Sequence, residues 1–203
     1  AAGETETSTI NYTVSDGDGG TSTASITGTI TGTNDAPTQV GVIAAQADND
    51  AETITAIDTS TAFSDADLSN TLTYSAADLP AGLSIDPATG IISGTIDPSA
   101  SQGGTNGVYN VVVTATDDAG ATATQGIVWT VSNPAPDAVA DTNTTDENAA
   151  QLVVNAANGV LINDTDADGD TLTVSEVNGA AGNVSGKVAG TNGGSFMLNA
   201  DGS

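Results

Sequence analysis

Apolar and polar residues alternate in short runs along this 203-residue chain. Ile10-Asn11-Tyr12-Thr13-Val14 alternates, and so does Ala24-Ser25-Ile26-Thr27-Gly28-Thr29-Ile30. Ile127, Trp129 and Val131 stand against Val128, Thr130 and Ser132. A period of two in Thr- and Val-rich runs sends one face to a core and the other to solvent, which predicts half-buried β-strands. Leu79-Pro80-Ala81-Gly82 and Asp86-Pro87-Ala88-Thr89-Gly90 read as turns, the second a short hairpin loop with Gly at its left-handed position. Tyr12, Tyr109 and Trp129 each have apolar residues two positions away, which predicts packing in a core rather than a platform for sugars. The expected fold is all-β. No apolar run approaches the ~18 residues of a spanning helix and the N-terminus carries no signal-peptide pattern, so direct membrane insertion is not expected and the chain reads as an internal piece.

The pattern repeats at a spacing near one hundred residues, the size of one β-sandwich domain. Asp65-Ala66-Asp67-Leu68-Ser69-Asn70-Thr71-Leu72-Thr73-Tyr74 matches Thr165-Asp166-Ala167-Asp168-Gly169-Asp170-Thr171-Leu172-Thr173-Val174, with Thr-Leu-Thr in step. Thr13-Val14-Ser15-Asp16-Gly17-Asp18-Gly19-Gly20 matches Thr114-Ala115-Thr116-Asp117-Asp118-Ala119-Gly120. Asn34-Asp35-Ala36-Pro37 and Asn133-Pro134-Ala135-Pro136 read as linkers, because Pro ends strand pairing and stiffens a connection. Residues 1–35 hold only late features of the repeat, 36–133 the full set, and 134–203 only early ones. The expectation is a tandem array of β-sandwiches, one complete and two partial.

Charge changes the picture. Asp and Glu number 26 against a single Lys, Lys187, with no Arg, His or Cys, for a formal charge of −25. Leu, Ile, Val and Phe make up only roughly a fifth of the residues, which with this charge is a composition found in disordered chains; the alternation argues for a folded protein that depends on cations. Nucleic acid is excluded as a partner, since phosphate binding needs Lys and Arg, and docking to an anionic membrane is disfavoured. Thiol chemistry and thiolate or imidazole metal sites are absent. The acids also cluster, as in Asp16-Gly17-Asp18-Gly19-Gly20 and Asp164-Thr165-Asp166-Ala167-Asp168-Gly169-Asp170. Carboxylates ~4 Å apart repel by about 1 kcal/mol even in bulk water, and a hard cation reverses that sign. The D-x-D-x-D-G spacing of Asp164 to Asp170 places oxygens at alternate positions with Gly169 free to turn sharply, as in an EF-hand loop. It is not an EF-hand: Ser175 stands where the bidentate Glu belongs, and the flanks read as strands. Two readings follow, a Ca²⁺ site or a solvated acidic hairpin.

The segment Leu79-Pro80-Ala81-Gly82-Leu83-Ser84-Ile85-Asp86-Pro87-Ala88-Thr89-Gly90-Ile91-Ile92-Ser93-Gly94-Thr95 resembles the signature of the dystroglycan-type cadherin-like (Ig-like) domains of bacterial surface proteins. Asp146-Glu147-Asn148, Asn163 to Asp170 and Tyr12 to Gly20 resemble the VCBS and related cadherin-like repeats of giant RTX-type adhesins. The resemblance implies Ig-like Greek-key sandwiches strung end to end in a secreted, type I-exported adhesin at the bacterial surface. It also implies Ca²⁺ at the junctions, held by acids of one domain, the linker and the next domain. Carried over by position, Asn34 and Asp35 serve the first junction with Asp65, Asp67 and Asp117 of the middle domain. Asp137, Asp146, Glu147, Asp166 and Asp168 serve the second, where Asn133-Pro134 replaces Asn34-Asp35. Asp16 and Asp18 belong to the upstream repeat. Asp48, Asp50 and Glu52 fit a plain exposed loop equally well.

The leading expectation is thus a calcium-stiffened extender that projects a ligand-binding tip, with neighbouring repeats as its partners. The alternative is a calcium-dependent glycan- or protein-binding module, which an exposed aromatic would favour. Catalysis is not expected, although a two-carboxylate glycosidase is formally compatible with the composition. Because the two end segments nearly add up to one domain, head-to-tail self-association is a further expectation.

Overall fold

The computed structural model describes residues 4–67, 71–146, 151–191 and 194–203. Strands β1 (Thr5–Ser15) and β2 (Thr21–Thr31) form a two-stranded antiparallel hairpin. The middle segment contributes β3 (Thr38–Gln39), β4 (Gln46–Asn49), β5 (Ile57–Asp58), β6 (Phe63–Ser64), β7 (Thr73–Ala77), β8 (Leu83–Ile85), β9 (Ile91–Gly94), β10 (Val108–Thr116) and β11 (Thr122–Ser132). They make a four-stranded sheet in the order β4-β11-β10-β7, a three-stranded sheet β5-β9-β8, and the short pair β3-β6. Towards the C-terminus β12 (Lys187–Ala189) pairs with β13 (Ser195–Met197). The protein is all-β, an Ig-like sandwich with β segments on either side.

Alternation explains the sandwich. Along β10, Val111, Val113 and Ala115 are fully buried while Val112 is 40% exposed, and along β11 Ile127, Trp129 and Val131 turn inward. They pack with Ile54, Phe63, Ile92 and Ile96 into one core. Burying side chains of this size contributes about 1.5–3 kcal/mol each. The turn read at Asp86–Gly90 is present: Asp86 Oδ1 accepts the N–H groups of Ala88 and Thr89 at 2.9 Å each, and Gly90 has φ +71°. Gly82, in the other turn, has φ +89°, and a Cβ there would be driven into the Thr95 carbonyl oxygen. Gly82→Ala should therefore cost at least ~1–3 kcal/mol, read as a lower urea midpoint by Trp129 fluorescence. An unchanged midpoint would refute this account of the turn.

The hairpin differs from expectation in one respect. Tyr12 is 46% exposed, beside Ile10 at 66% and Val14 at 55%, rather than packed in a core. Its sequence pattern matches that of β10, but none of the described residues forms a second sheet against it. Trp129 is fully buried and Tyr109 half-buried, as the pattern predicts.

Candidate functional site

Chain topology, rather than any local motif, gathers the acids at one pole of the sandwich. The linker after β2 runs into β3, and β3 pairs with β6, so the loop that follows β6 lies beside the linker. Asp65 and Asp67 sit on that loop, and Asp117 opens the turn after β10. The Asn34 Nδ2–H donates to Asp117 Oδ2 at 2.7 Å, and the Asp35 backbone N–H donates to Asp67 Oδ2 at 2.9 Å. The Asp67 N–H in turn donates to Asp65 Oδ1 at 2.7 Å. Asp67 is 4% and Asp117 5% exposed, unusual burial for carboxylates in a chain with one Lys. Asp65 Oδ2 is buried and has no hydrogen-bond partner. All five residues assigned to the first junction are therefore brought together. The linker presents N–H groups to the carboxylates, where oxygens were expected.

Hydrogen bonding sets the charge state of Asp117. The Asn34 amide, followed by the Ala121 and Ala119 N–H groups, holds its carboxyl below the usual range. Asp16 is lowered in the same way by the N–H groups of Asp18 and Gly20, and the two turns share one geometry. Asp16 Oδ1 accepts from Asp18 and Gly20 at 2.9 Å each, and Asp117 Oδ1 accepts from Ala119 at 2.9 Å and Ala121 at 2.8 Å. Asp16 and Asp18 are exposed.

The second acidic loop is built differently. Asp137 and Thr165 exchange backbone hydrogen bonds of 2.8 and 3.0 Å, and Asp164 Oδ1 accepts from the Val139 N–H at 2.7 Å. Asp168 is 7% exposed with a buried, unpartnered Oδ2, and Gly169 takes φ +85° as the spacing requires. At the first junction the corresponding oxygen, Asp67 Oδ2, receives the Asp35 N–H. In the second linker Pro134 replaces Asp35 and offers no N–H, which accounts for the orphaned oxygen. Asp146 is exposed, and Glu147 lies outside the described residues.

The interaction of the neighbouring Asp166 and Asp168 carboxyls holds Asp166 down and pushes Asp168 up, with burial adding to the rise of Asp168. A raised carboxyl stabilises the fold while protonated and loses that contribution as pH rises through its folded value. A cation bound here would displace the proton. Calcium titrated into the protein at mildly acid pH should therefore release protons, seen as a buffer-dependent heat in calorimetry. Equal heats in buffers of different ionisation enthalpy would contradict the shared-proton arrangement.

Sequence reading missed one pair of acids. Asp48 and Asp50 are not loop residues in solvent. Asp48 lies in β4 and accepts the Trp129 Nε1–H at 2.8 Å, and Asp50 is 4% exposed with Oδ1 accepting the Ser101 N–H at 2.8 Å. The cause is the parallel pairing of β4 with β11, which places Asp48 opposite Val131. No local signal announces a partner that far along the chain.

The donors at both loops are carboxylate and amide oxygens, the set that suits Ca²⁺ rather than zinc. Among the described residues no three acids converge closely enough to form a finished metal cage. The first junction fits the ion in donor type, placement and its orphaned buried oxygen, but not as a preformed shell. A concavity of about 360 Å³ near Leu79 and Tyr109 has Asp78 as its sole lining carboxylate, so it lacks the facing pair that glycoside hydrolysis uses. No described helix is long and apolar enough to cross a membrane.

Residues 36–132 match the family model described as "Putative Ig domain", and residues 133–203 match "Bacterial Ig domain". Two consecutive segments that together span residues 36–203 thus match Ig-like domain models. No curated protein matches the chain. Among solved structures it is similar to the protocadherin GammaB4 extracellular domain, at 15% identity over 94% of this chain and 33% of that one, TM-score 0.41. The human desmocollin-1 ectodomain is 21% identical over 66% of this chain and 26% of that one, TM-score 0.36. A Bacteroides fragilis protein described as a "putative alpha-galactosidase/melibiase" is 23% identical over 47% of this chain, TM-score 0.34, and the chain spans 17% of its length. Likenesses of this size say nothing about what the chain binds.

Proposed function

We propose that the chain is a calcium-stiffened extender segment of a large secreted or cell-surface adhesin. The observation that carries this reading is the acidic pole at the first linker, where Asp65, Asp67 and Asp117 surround Asn34 and Asp35 and one buried carboxylate oxygen lacks a partner. A Ca²⁺ ion would be held there by Asp65, Asp67 and Asp117 with carbonyl or amide oxygens of the linker. Its charge would neutralise acids that otherwise repel. Because ligands come from both the linker and the domain, bending the linker would break bonds to the ion, and the string of modules would behave as a rod. The Asp164–Asp170 loop is the second site, without the linker carboxylate that Asp35 offers at the first, since Pro134 stands in its place.

The glycan-binding alternative requires an exposed aromatic. Tyr12 and Phe196 are exposed, yet both belong to the segments flanking the sandwich, and the β10 residue matching Tyr12 is the fully buried Val113. Their exposure is the mark of an uncovered core face rather than of a ligand platform. Differential scanning fluorimetry tests the extender reading. Calcium at 100 times its dissociation constant should add about 2.7 kcal/mol, Mg²⁺ at equal ionic strength should add far less, and EDTA should reverse the gain. Equal effects of Ca²⁺, Mg²⁺ and Na⁺ at matched ionic strength would overturn it.

A further inference from the structure

Asn-Gly sets a side-chain amide next to a backbone nitrogen that no Cβ shields. The sequence has four such pairs; those at Asn106, Asn158 and Asn178 lie in the described residues, and the pair at 192–193 lies outside them. Two of them make the same turn. Thr105 and Val108 exchange backbone hydrogen bonds of 2.9 and 3.2 Å around Asn106 and Gly107, whose φ values are +53° and +77°. Val177 and Ala180 do so at 3.2 Å each around Asn178 and Gly179, with φ +52° and +72°. Both are two-residue turns with two left-handed residues, the type I′ form that Asn-Gly favours.

The surroundings of the glycine nitrogen differ. The Gly107 N–H donates to the Gly103 carbonyl at 3.0 Å, and the Gly107 carbonyl accepts the Val131 N–H at 2.8 Å. Gly107 is buried, and a Cβ there would strike the Val131 carbonyl oxygen. Gly159 is buried as well, its N–H donating to the Ala156 carbonyl at 3.2 Å, and Asn158 Nδ2 donates to Asn155 Oδ1 at 3.0 Å. Asn178 and Gly179 are both exposed. Among the described residues neither the Gly179 N–H nor the Asn178 side chain has a hydrogen-bond partner, and a Cβ on Gly179 would meet nothing within 4 Å. In the complete sandwich Asp78 holds the matching place, four residues after Tyr74 as Asn178 is after Val174, and it too is exposed, with φ +58°. An exposed left-handed corner is therefore a property of the repeat at this position.

We propose that Asn178 is a site of spontaneous deamidation that reacts well ahead of Asn106 and Asn158. The Gly179 nitrogen gives its proton to solvent base and bonds to Asn178 Cγ. The Cγ–Nδ2 bond breaks, ammonia leaves with a proton from water, and a cyclic succinimide remains. Water opens either of its carbonyls, leaving aspartate or β-linked isoaspartate at position 178. One water enters and one ammonia leaves, so the reaction needs no other reactant. Either product adds a carboxylate to a chain already at −25, two residues from Glu176. Isoaspartate also inserts Cβ into the main chain, and a two-residue turn sets its pairing by its length. The Val177–Ala180 pairing is then lost, and Asn183 Nδ2, which donates to the Val177 carbonyl at 2.9 Å, loses a fixed acceptor. The site thus records how long the folded protein has stood in water.

The test holds the 203-residue chain in mildly alkaline buffer and follows the three sites by peptide mass spectrometry. A protease that cuts before aspartate suits a chain with one Lys; it gains a cut at position 178 in the aspartate product and none in the isoaspartate. Asn178 should convert about tenfold faster than Asn106 or Asn158, the order of factor set by one further hydrogen bond to break. In urea the three should react at similar rates, because the reacting pair is the same and the fold no longer protects it. Asn178→Gln, whose longer side chain closes a ring far more slowly, should remove conversion at that site and leave the Trp129 unfolding midpoint unchanged. Equal rates at the three sites in folded protein would overturn the proposal. So would earlier reaction at Asn106 or Asn158, or a spread of rates that survives urea.

Discussion

Trp129→Ala is expected to unfold the central sandwich. Trp129 is fully buried in β11 among Ile92, Ile96 and Val111, and it donates its Nε1–H to Asp48 Oδ2 at 2.8 Å. Truncating an aromatic side chain in a packed core costs about 3–5 kcal/mol. Leaving the Asp48 carboxylate without its donor adds about 1–3 kcal/mol. Domains of this size are stable by only ~5–15 kcal/mol, so the sum removes most or all of it. Far-UV circular dichroism through a urea titration should show a collapsed or absent transition. Trp129→Phe separates the two terms: it keeps most of the ring, loses the donor, and should shift the midpoint by a smaller amount that Asp48→Asn largely recovers. A Trp129→Ala protein with the parent midpoint would show that the core lies elsewhere.

The double variant Asp67→Asn/Asp117→Asn should have an effect whose size depends on calcium. With the ion present, the variant loses two of the three carboxylates proposed to hold it, Asp65, Asp67 and Asp117. The calcium-dependent gain, about 2.7 kcal/mol at 100 times the dissociation constant, should largely disappear. In chelator the change should be smaller than with calcium: an Asn oxygen still accepts the Ala119 and Ala121 N–H groups and a source of repulsion goes, while the charged acceptor of the Asn34 amide is lost. The pH dependence follows from the depressed Asp117 pKa. A lowered carboxyl contributes stability above its unfolded pKa, and this is lost as pH falls through the folded value. Calcium-loaded protein should therefore lose stability on acidification in a range below the ordinary carboxylate pKa. Thermal melts of both proteins with calcium and with chelator decide the matter; an equal loss in both conditions would assign these acids a purely structural role.

Much of this was legible because the governing interactions are local. Strand alternation marks β10 and β11, Asp-Gly spacing marks the turns at Asp16, Asp117 and Asp166–Gly169, and Pro marks the linkers. The resemblance implies one set of acids at the first linker, Asp65, Asp67 and Asp117, and chain topology brings these residues together. What stayed hidden depends on distant pairing. For Asp48 and Asp50 the sequence leaves a plain exposed loop equally open, because their partners, Trp129 and Ser101, are brought to them only when β4 docks on β11. Tyr12 has the neighbours of a core residue, and alternation cannot reveal whether an opposing sheet is present. The linker residues carry a second role that spacing does not announce. The resemblance implies oxygens from Asn34 and Asp35, and the fold in addition uses their N–H groups to hold two buried carboxylates.

Small-angle X-ray scattering with calcium and then with chelator, at equal ionic strength and at a concentration where the protein is monomeric, tests the extender account most directly. The account predicts a longer, stiffer particle with calcium and a shorter, flexible one without it, and no such difference in Asp67→Asn/Asp117→Asn. Identical scattering in both conditions would contradict it and would leave the acidic pole as a set of carboxylates held by N–H groups alone.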